Sequence, residues 1–147
     1  MIYTYTLIAV LTLDLLTKEL AQEFLSDRSY DLLPFLKLFL IYNRGAAFGI
    51  FADMPDLIRL PLLILTPIVA FIVTFIYSRK VSDTKLLLIL GMIGGGALGN
   101  LYDRLFLGKV RDFIHIHVGD YYWPAFNVAD ASISVAITLL ILSQLRK

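Results

Sequence analysis

The sequence contains no cysteine among its 147 residues, and only 17% of its residues are charged. The first absence excludes a disulfide framework, a thiolate metal site and a cysteine nucleophile. The scarcity of charge is matched by a hydrophobic content of 59%, whereas soluble domains carry about 45–50% apolar and about 25% charged residues. One small core could not bury so much apolar surface, so the composition indicates a membrane protein.

The chain also lacks an excess of positive charge, because its formal net charge is only +1. Proteins that bind nucleic acid need a basic surface to neutralise phosphates. We therefore expect no nucleic-acid partner.

Four segments approach the roughly 20 mostly apolar residues that a spanning helix needs, and they cover about residues 2–24, 57–77, 86–107 and 126–145. The first segment lacks the basic start and the small-residue cleavage site of a signal peptide, so we expect it to remain as a helix. The chain is predicted to form a single membrane domain over residues 1–147.

The short polar segments predict the orientation of these spans. The connector 78–85 and the tail Arg146-Lys147 together hold five basic residues and one acidic residue. The positive-inside rule places both in the cytoplasm, and with four spans both termini are then cytoplasmic. Segments of about 25–56 and 108–125 would face outward. The basic residues of these outer segments weaken the contrast: Arg28, Lys37, Arg44, Lys109 and Arg111.

The outer segments have strand character. Residues 36–51 alternate β-forming and turn residues, and Asn43-Arg44-Gly45 indicates a turn. Val110 to Val118 alternate before a Gly119-Asp120 turn. The aromatic run 121–123 is typical of a membrane interface. We therefore predict an all-α integral membrane protein, with four transmembrane helices and a small β-sheet platform on the outer (periplasmic or extracellular) face.

Charged residues inside a span cost about 2.5–3.5 kcal/mol each and are candidates for function. Asp14 and Lys18 are spaced to pair on one helix face, and the spacing fits a functional pair or a salt bridge that only fastens helices. Asn100, Asp103 and Arg104 share one face of the third span, as a structural clamp or as catalytic groups. The third span also has glycines four residues apart, which favour close helix packing: Gly91, Gly95 and Gly99.

Two further carboxylates come from separate elements that meet at the outer interface. Asp112 lies on the strand-like stretch, and Asp130 lies in the first turn of the fourth span. Two close carboxylates share one proton, so one can activate water while the other polarises a peptide carbonyl. Such aspartic peptidase chemistry needs no metal and no cofactor.

Other sites remain open at this level. His115 and His117 share a strand face and offer two zinc ligands, without the helical HExxH spacing. Lys18 with Ser132 or Ser134 could form the catalytic pair of a serine–lysine peptidase. Serine hydroxyls in helices, however, often bond the backbone of their own helix. A different class is a small four-span transporter or membrane assembly factor whose embedded charges line a path.

Five blocks of the sequence resemble the bacterial lipoprotein signal peptidases (signal peptidase II), in the order and at the spacing of that family. They are Asp14-x-x-Thr17-Lys18, Asn43-x-Gly45-Ala46-Ala47-Phe48, Gly95-Gly96-Ala97-Leu98-Gly99-Asn100-x-x-Asp103-Arg104, Val110-x-Asp112-Phe113 and Phe126-Asn127-x-Ala129-Asp130. Each block alone is weak, but together they span nearly the whole chain and are specific.

The resemblance implies that Asp112 and Asp130 are the catalytic pair, with Asp103 as the rival for the first position. It implies that Asn43, Asn100, Arg104 and Asn127 hold the substrate backbone or orient the aspartates, and that Asp14 and Lys18 brace the first helix. Asp103 is interpreted as an ion-pairing residue because Arg104 follows it in the chain.

The resemblance also implies the substrate and the location. The protein would cleave the signal peptide of a diacylglyceryl-modified prolipoprotein just before the lipidated cysteine, at the outer face of the bacterial inner membrane. Membrane lipid would surround the substrate's chains, the 51–57 segment would cover the site, and we expect a monomer.

Overall fold

The computed structural model describes residues 1–46 and 49–145. Outside these residues lie the Arg146-Lys147 tail used to predict orientation and Ala47-Phe48 of the second motif block. The elements in chain order are α1 (Ile2–Leu25), β1 (Tyr30–Leu33), β2 (Leu36–Asn43), α2 (Asp56–Ser78), α3 (Thr84–Leu107), β3 (Val110–Val118), β4 (Tyr121–Tyr122) and α4 (Val128–Leu145). The helices match the predicted spans to within two residues at each end.

Within residues 1–46 and 49–145, three of the four helices are long and apolar enough to cross a membrane, namely α2, α3 and α4. Helix α1 is as long, with 24 residues, but it contains four charged side chains: Asp14, Lys18, Glu19 and Glu23. Length and composition therefore support three spans directly.

The outward surfaces of α2 and α4 are strongly apolar. Large hydrophobic side chains remain at least two-fifths exposed along both helices. On α2 they include Leu62, Leu65, Val69, Ile72, Val73 and Ile76, and on α4 they include Val135, Ile137, Leu139, Ile141 and Leu142. So large an exposed apolar surface is typical of contact with lipid.

Helix α3 lies at the centre and packs against the other three helices. Its glycines permit this approach. A Cβ at Gly91 or Gly95 would lie 2.7 Å from atoms of α1, and a Cβ at Gly96 would lie 2.7 Å from atoms of α4. The predicted packing role of the glycine spacing is confirmed.

The strands form one antiparallel sheet in the order β1-β2-β3-β4. The predicted strand over 110–118 and the turn after it are both present. Strand β2 ends at Asn43, which confirms the turn predicted at Asn43-Arg44-Gly45. The described residues from there to Phe51 form no strand, so the strand character expected beyond the turn is absent from them. The Asn43 side chain accepts a hydrogen bond from the Gly45 N–H and donates to the Ala46 carbonyl, which turns the chain away from the sheet.

Chain connectivity places the sheet at one end of the helical bundle. Helices α1 and α3 both end there, and α2 and α4 both begin there, while the connector 79–83 joins α2 to α3 at the opposite end. The sheet packs on α1 through a buried cluster of Ala21, Leu25 and Phe113. Strand β3 therefore contacts both α1 and α3, and its residue Ile114 pairs with Phe126 just before α4.

Candidate active site

Helix α4 begins with a reciprocal capping interaction that fixes Asp130. The Asn127 side chain accepts a hydrogen bond from the Asp130 N–H at 2.9 Å. In return, the Asp130 carboxylate accepts one from the Asn127 N–H at 3.2 Å. This is the arrangement of a capping box, in which the cap and the third helical residue satisfy each other's backbone. Asp130 is thereby held in the first turn, as the sequence predicts.

Asp112 is placed by the transition from α3 to β3. Gly108 caps α3 with φ 71°, a left-handed conformation that glycine adopts without steric cost. The chain then reverses into β3, where Asp112 pairs with Ile41 of β2. Asp112 is only 2% exposed. A rigid sheet therefore presents this carboxylate beside the start of α4.

The side chain of Asn127 joins the two aspartates. It is fully buried, and its Nδ2 donates to the Asp112 carboxylate at 2.8 Å. The same amide group reaches the Asn100 Oδ1 at 3.1 Å, and Asn100 in turn donates to the Asp130 carboxylate at 2.8 Å. Asp112 and Asp130 are thus connected through two asparagines from two different elements.

Both aspartates line one cavity of about 420 Å³, a size in the usual range for ligand pockets. Three other predicted site residues, Asn43, Asn100 and Arg104, also line it. The remaining lining is mostly apolar and includes Val110, Ile116, Pro124, Phe126, Ala131 and Val135. A peptide with apolar side chains fits such a lining.

The protonation of Asp112 is shifted by its surroundings. Burial raises the pKa of the Asp112 carboxyl to about 7, and the negative charge of Asp130 adds to the rise. Hydrogen bonds from Asn43 and Asn127 and the charge of Lys18 act in the opposite direction. A carboxyl with this pKa can hold a proton near neutral pH, as a general acid must.

A buried ion cluster lies behind the cavity. Asp14 and Lys18 pair at 2.7 Å, which confirms the pairing predicted from their spacing. Lys18 also lies 3.5 Å from Asp103 and donates to the Asn100 Oδ1 at 3.1 Å. The second oxygen of Asp14 accepts a hydrogen bond from the Ala129 N–H of α4. The cluster therefore fastens α1 to both α3 and α4.

Asp103 pairs differently from the prediction. Its ion partners are Lys18 and Arg111, at 3.5 Å and 2.8 Å, and not its neighbour Arg104. Consecutive helix residues point in different directions, so Arg104 faces the cavity while Asp103 faces the interior. The negative charges of Asp130, Asp112 and Asp103 all act on the Arg104 guanidinium.

Arg111 is a site residue that the sequence analysis missed. It was counted among the basic residues of an outer loop, but it is 1% exposed and bonded to Asp103, Glu19 and Gln22. It therefore adds little to the surface charge of that segment. The available signal was its position next to Asp112 inside an apolar alternating strand.

The residues of the alternative sites have other partners. His115 is buried, stacks on Phe39 and bonds the Phe39 carbonyl, and burial lowers its pKa. His117 stacks on Tyr122. Ser132 donates to the Met92 carbonyl of α3.

Comparison with known proteins gives a consistent set of similarities. A family model described as signal peptidase (SPase) II matches residues 6–146. The lipoprotein signal peptidase of Aquifex aeolicus (strain VF5) is 55% identical over 141 residues, which cover 96% of this chain and 84% of the relative. That of Sulfurihydrogenibium sp. (strain YO3AOP1) is 47% identical, with 90% of this chain and 83% of the relative covered.

A solved structure described as a bacterial membrane enzyme, determined by the in meso method at 2.3 Å resolution, superposes with a TM-score of 0.84. It is 27% identical, and the alignment covers 98% of this chain and 87% of that chain.

Proposed function

Because the chain belongs to the signal peptidase II family, it is a peptidase that removes signal peptides from prolipoproteins, and we propose that Asp112 and Asp130 perform the cleavage. The observation that supports this pair is geometric. The two carboxylates come from β3 and α4, line one cavity and are bridged by Asn127. Family membership also favours the peptidase over the transporter or assembly factor considered above.

In the proposed reaction the pair shares one proton. Asp130 accepts hydrogen bonds from the Asn100 side chain and the Asn127 N–H, and acts as the carboxylate that removes a proton from water. Asp112, with its pKa raised to about 7, donates a proton to the oxygen of the scissile carbonyl. The water oxygen bonds to the carbonyl carbon. The C–N bond then breaks and the leaving nitrogen takes the proton held by Asp130. Asp112 takes a proton back from a hydroxyl on the former carbonyl carbon, which restores the shared proton.

The other predicted residues would support this pair. We assign Asn127 the orientation of both aspartates, because it is fully buried between them. Asn43 and Arg104 line the cavity and are placed to contact the substrate backbone. Asp14, Lys18 and Asp103 are fully buried behind the site, and they would brace α1 and α3 against it.

We propose that α1 is the fourth span. Its 24 residues extend about 36 Å at 1.5 Å per residue, enough to cross a bilayer core of about 30 Å. Its central charges are shielded from lipid, because Asp14 and Lys18 pair with each other and have no exposed surface. Exposed Leu13, Leu16 and Leu20 would contact the lipid instead.

We further propose that the connector 79–83 is cytoplasmic, since it carries Arg79 and Lys80, and that the sheet, at the opposite end of the bundle, lies on the outer face. Since the chain has no cysteine, single cysteines can report this topology. We expect an impermeant maleimide to label Asp120→Cys but not Lys80→Cys in intact spheroplasts. Labelling of Lys80→Cys alone would invert the proposed orientation.

We propose that the substrate is a diacylglyceryl-modified prolipoprotein, which the enzyme cleaves just before the modified cysteine. One wall of the cavity is formed by Ala131, Ser134 and Val135 of α4, and Val135 is 50% exposed on the lipid-facing surface. The lipid chains of the substrate would lie in the membrane beside this wall. We also propose that the monomer is active, because one copy of the chain supplies both aspartates and the asparagines that bond them.

A cleavage assay tests the substrate proposal. The purified protein is given a prolipoprotein before and after diacylglyceryl modification, and the products are measured by gel shift and mass. We expect cleavage of the modified form only, immediately before the modified cysteine. Equal cleavage of both forms would contradict the lipid requirement.

A further inference from the structure

The guanidinium of Arg111 connects β3 to two helices. It bonds both carboxylate oxygens of Asp103, from Nε at 3.2 Å and from the second terminal nitrogen at 2.8 Å. Its other terminal nitrogen donates to Glu19 at 2.7 Å and to Gln22 at 3.0 Å. Paired bonds of this kind fix the orientation of a planar guanidinium as well as its position. Arg111 is therefore held by α1 and α3 together.

The backbone of Arg111 is held on both sides as well. Its N–H donates to Asp103 at 2.9 Å, and its carbonyl accepts a hydrogen bond from the Asn127 Nδ2 at 3.2 Å. That carbonyl belongs to the peptide bond that leads into Asp112. The same Asn127 Nδ2 also donates a hydrogen bond to the Asp112 carboxylate. The position of Asp112 is thus tied to contacts made by the preceding residue.

The charge of Arg111 also keeps Lys18 and Asn100 in position beside Asp130. Without it, fully buried Asp103 would have Lys18 as its remaining ion partner, now at 3.5 Å. Lys18 already pairs with Asp14 and bonds the Asn100 Oδ1. A shift of Lys18 toward Asp103 would pull it from Asn100, whose amide orients the Asp130 carboxylate.

We propose that Arg111 is a positioning residue that sets the orientation of Asp112 and Asp130 for cleavage. The proposal rests on the catalytic pair assigned above. The guanidinium points into the protein, 1% exposed, toward α1 and α3, so it acts through the two aspartates and leaves substrate binding to other residues. Its loss should lower kcat and leave KM nearly unchanged.

The test compares Arg111→Met with Arg111→Lys. A misplacement of about 1 Å can cost about a hundredfold in rate, so we expect Arg111→Met to lower kcat by about tenfold to a hundredfold and to change KM by less than about threefold. Arg111→Lys keeps the charge but loses the paired geometry, so its kcat should lie between those of Arg111→Met and the unchanged protein. Arg28→Met is the control, because Arg28 is exposed and contacts only Asp27 among the described ion pairs.

Folding is measured in parallel as the fraction of monodisperse protein and its Tm in detergent, so that kcat refers to folded protein. The proposal would be overturned if Arg111→Met had an unchanged kcat, or if its KM rose by as large a factor as its kcat fell. It would also be overturned if the loss of activity were explained entirely by unfolding and Arg111→Lys did not restore it. Asp112→Asn is run beside these variants. If Asp112→Asn stays active, the catalytic pair is wrong; if it is inactive while Arg111→Met is normal, only the positioning role is wrong.

Discussion

The contact between Gly99 and Asp14 predicts a large effect for a single methyl group. A Cβ at residue 99 would overlap the Asp14 carboxylate, which is fully buried, paired with Lys18 and bonded to the Ala129 N–H. Gly99→Ala must therefore displace this carboxylate. Overpacking costs about 1–3 kcal/mol, and a lost hydrogen bond to a charged group costs about 1.5–3 kcal/mol. The better helix propensity of alanine returns about 1 kcal/mol.

The net expectation is a loss of about 2–5 kcal/mol, or a Tm lower by about 5–15 °C for a chain of this size. The assay is thermal unfolding in detergent, and Gly94→Ala is the matched control in the same helix. A Cβ at residue 94 meets only the ends of side chains, the nearest being the Tyr3 hydroxyl at 2.8 Å. We expect that control to change stability by less than about 1 kcal/mol. Equal Tm values for the two variants would refute the reasoning.

Four other predictions concern the residues of the site. Asp112 is protonated below its pKa of about 7, so log(kcat/KM) should fall with unit slope above about pH 7, and a flat profile from pH 6 to pH 9 would contradict its role as the acid. The same raised pKa stabilises the fold at low pH, so this contribution to stability should decrease as pH rises from about 4 to about 7. Asp103→Asn should lower Tm through loss of the pairs with Arg111 and Lys18; a stable, substrate-binding but inactive variant would instead move the catalytic position to Asp103. Asn127→Ser keeps the helix cap but loses the buried hydrogen bonds to Asp112 and Asn100, so Tm should fall and the kcat of the folded protein should fall by about a hundredfold. A normal kcat would count against the bridging role.

Local patterns in the sequence were sufficient for several features. The four long helices were predictable from apolar length, because a bilayer sets the length of a helix that crosses it. Strand β3 follows from alternation, and the Asp14–Lys18 pair follows from their spacing on one helix turn. The sequence also indicates the capping box at Asn127 and Asp130, because a cap residue followed by an acid three positions later favours a helix start.

Features that depend on distant partners were not predictable in this way. Arg111 is buried because Asp103 and Glu19 reach it from two other elements, and nothing in its local sequence specifies those contacts. The pairing of Asp103 with Arg104 was predicted from adjacency, although neighbours on a helix face different directions. The turn that ends β2 is a local feature by contrast, because the Asn43 side chain bonds its own following backbone, and Asn43-Arg44-Gly45 predicts it from the sequence.

The central claim is that Asp112 and Asp130 together activate water for cleavage. Its most direct test is single-turnover cleavage of the diacylglyceryl-modified prolipoprotein by Asp112→Asn and Asp130→Asn, with exposed Asp120→Asn as the control. General acid–base groups contribute about 10²–10⁴-fold each, so both variants should lose at least about a hundredfold in rate while remaining folded and able to bind substrate, and the control should be normal. Near-normal turnover by either Asp112→Asn or Asp130→Asn would contradict the account.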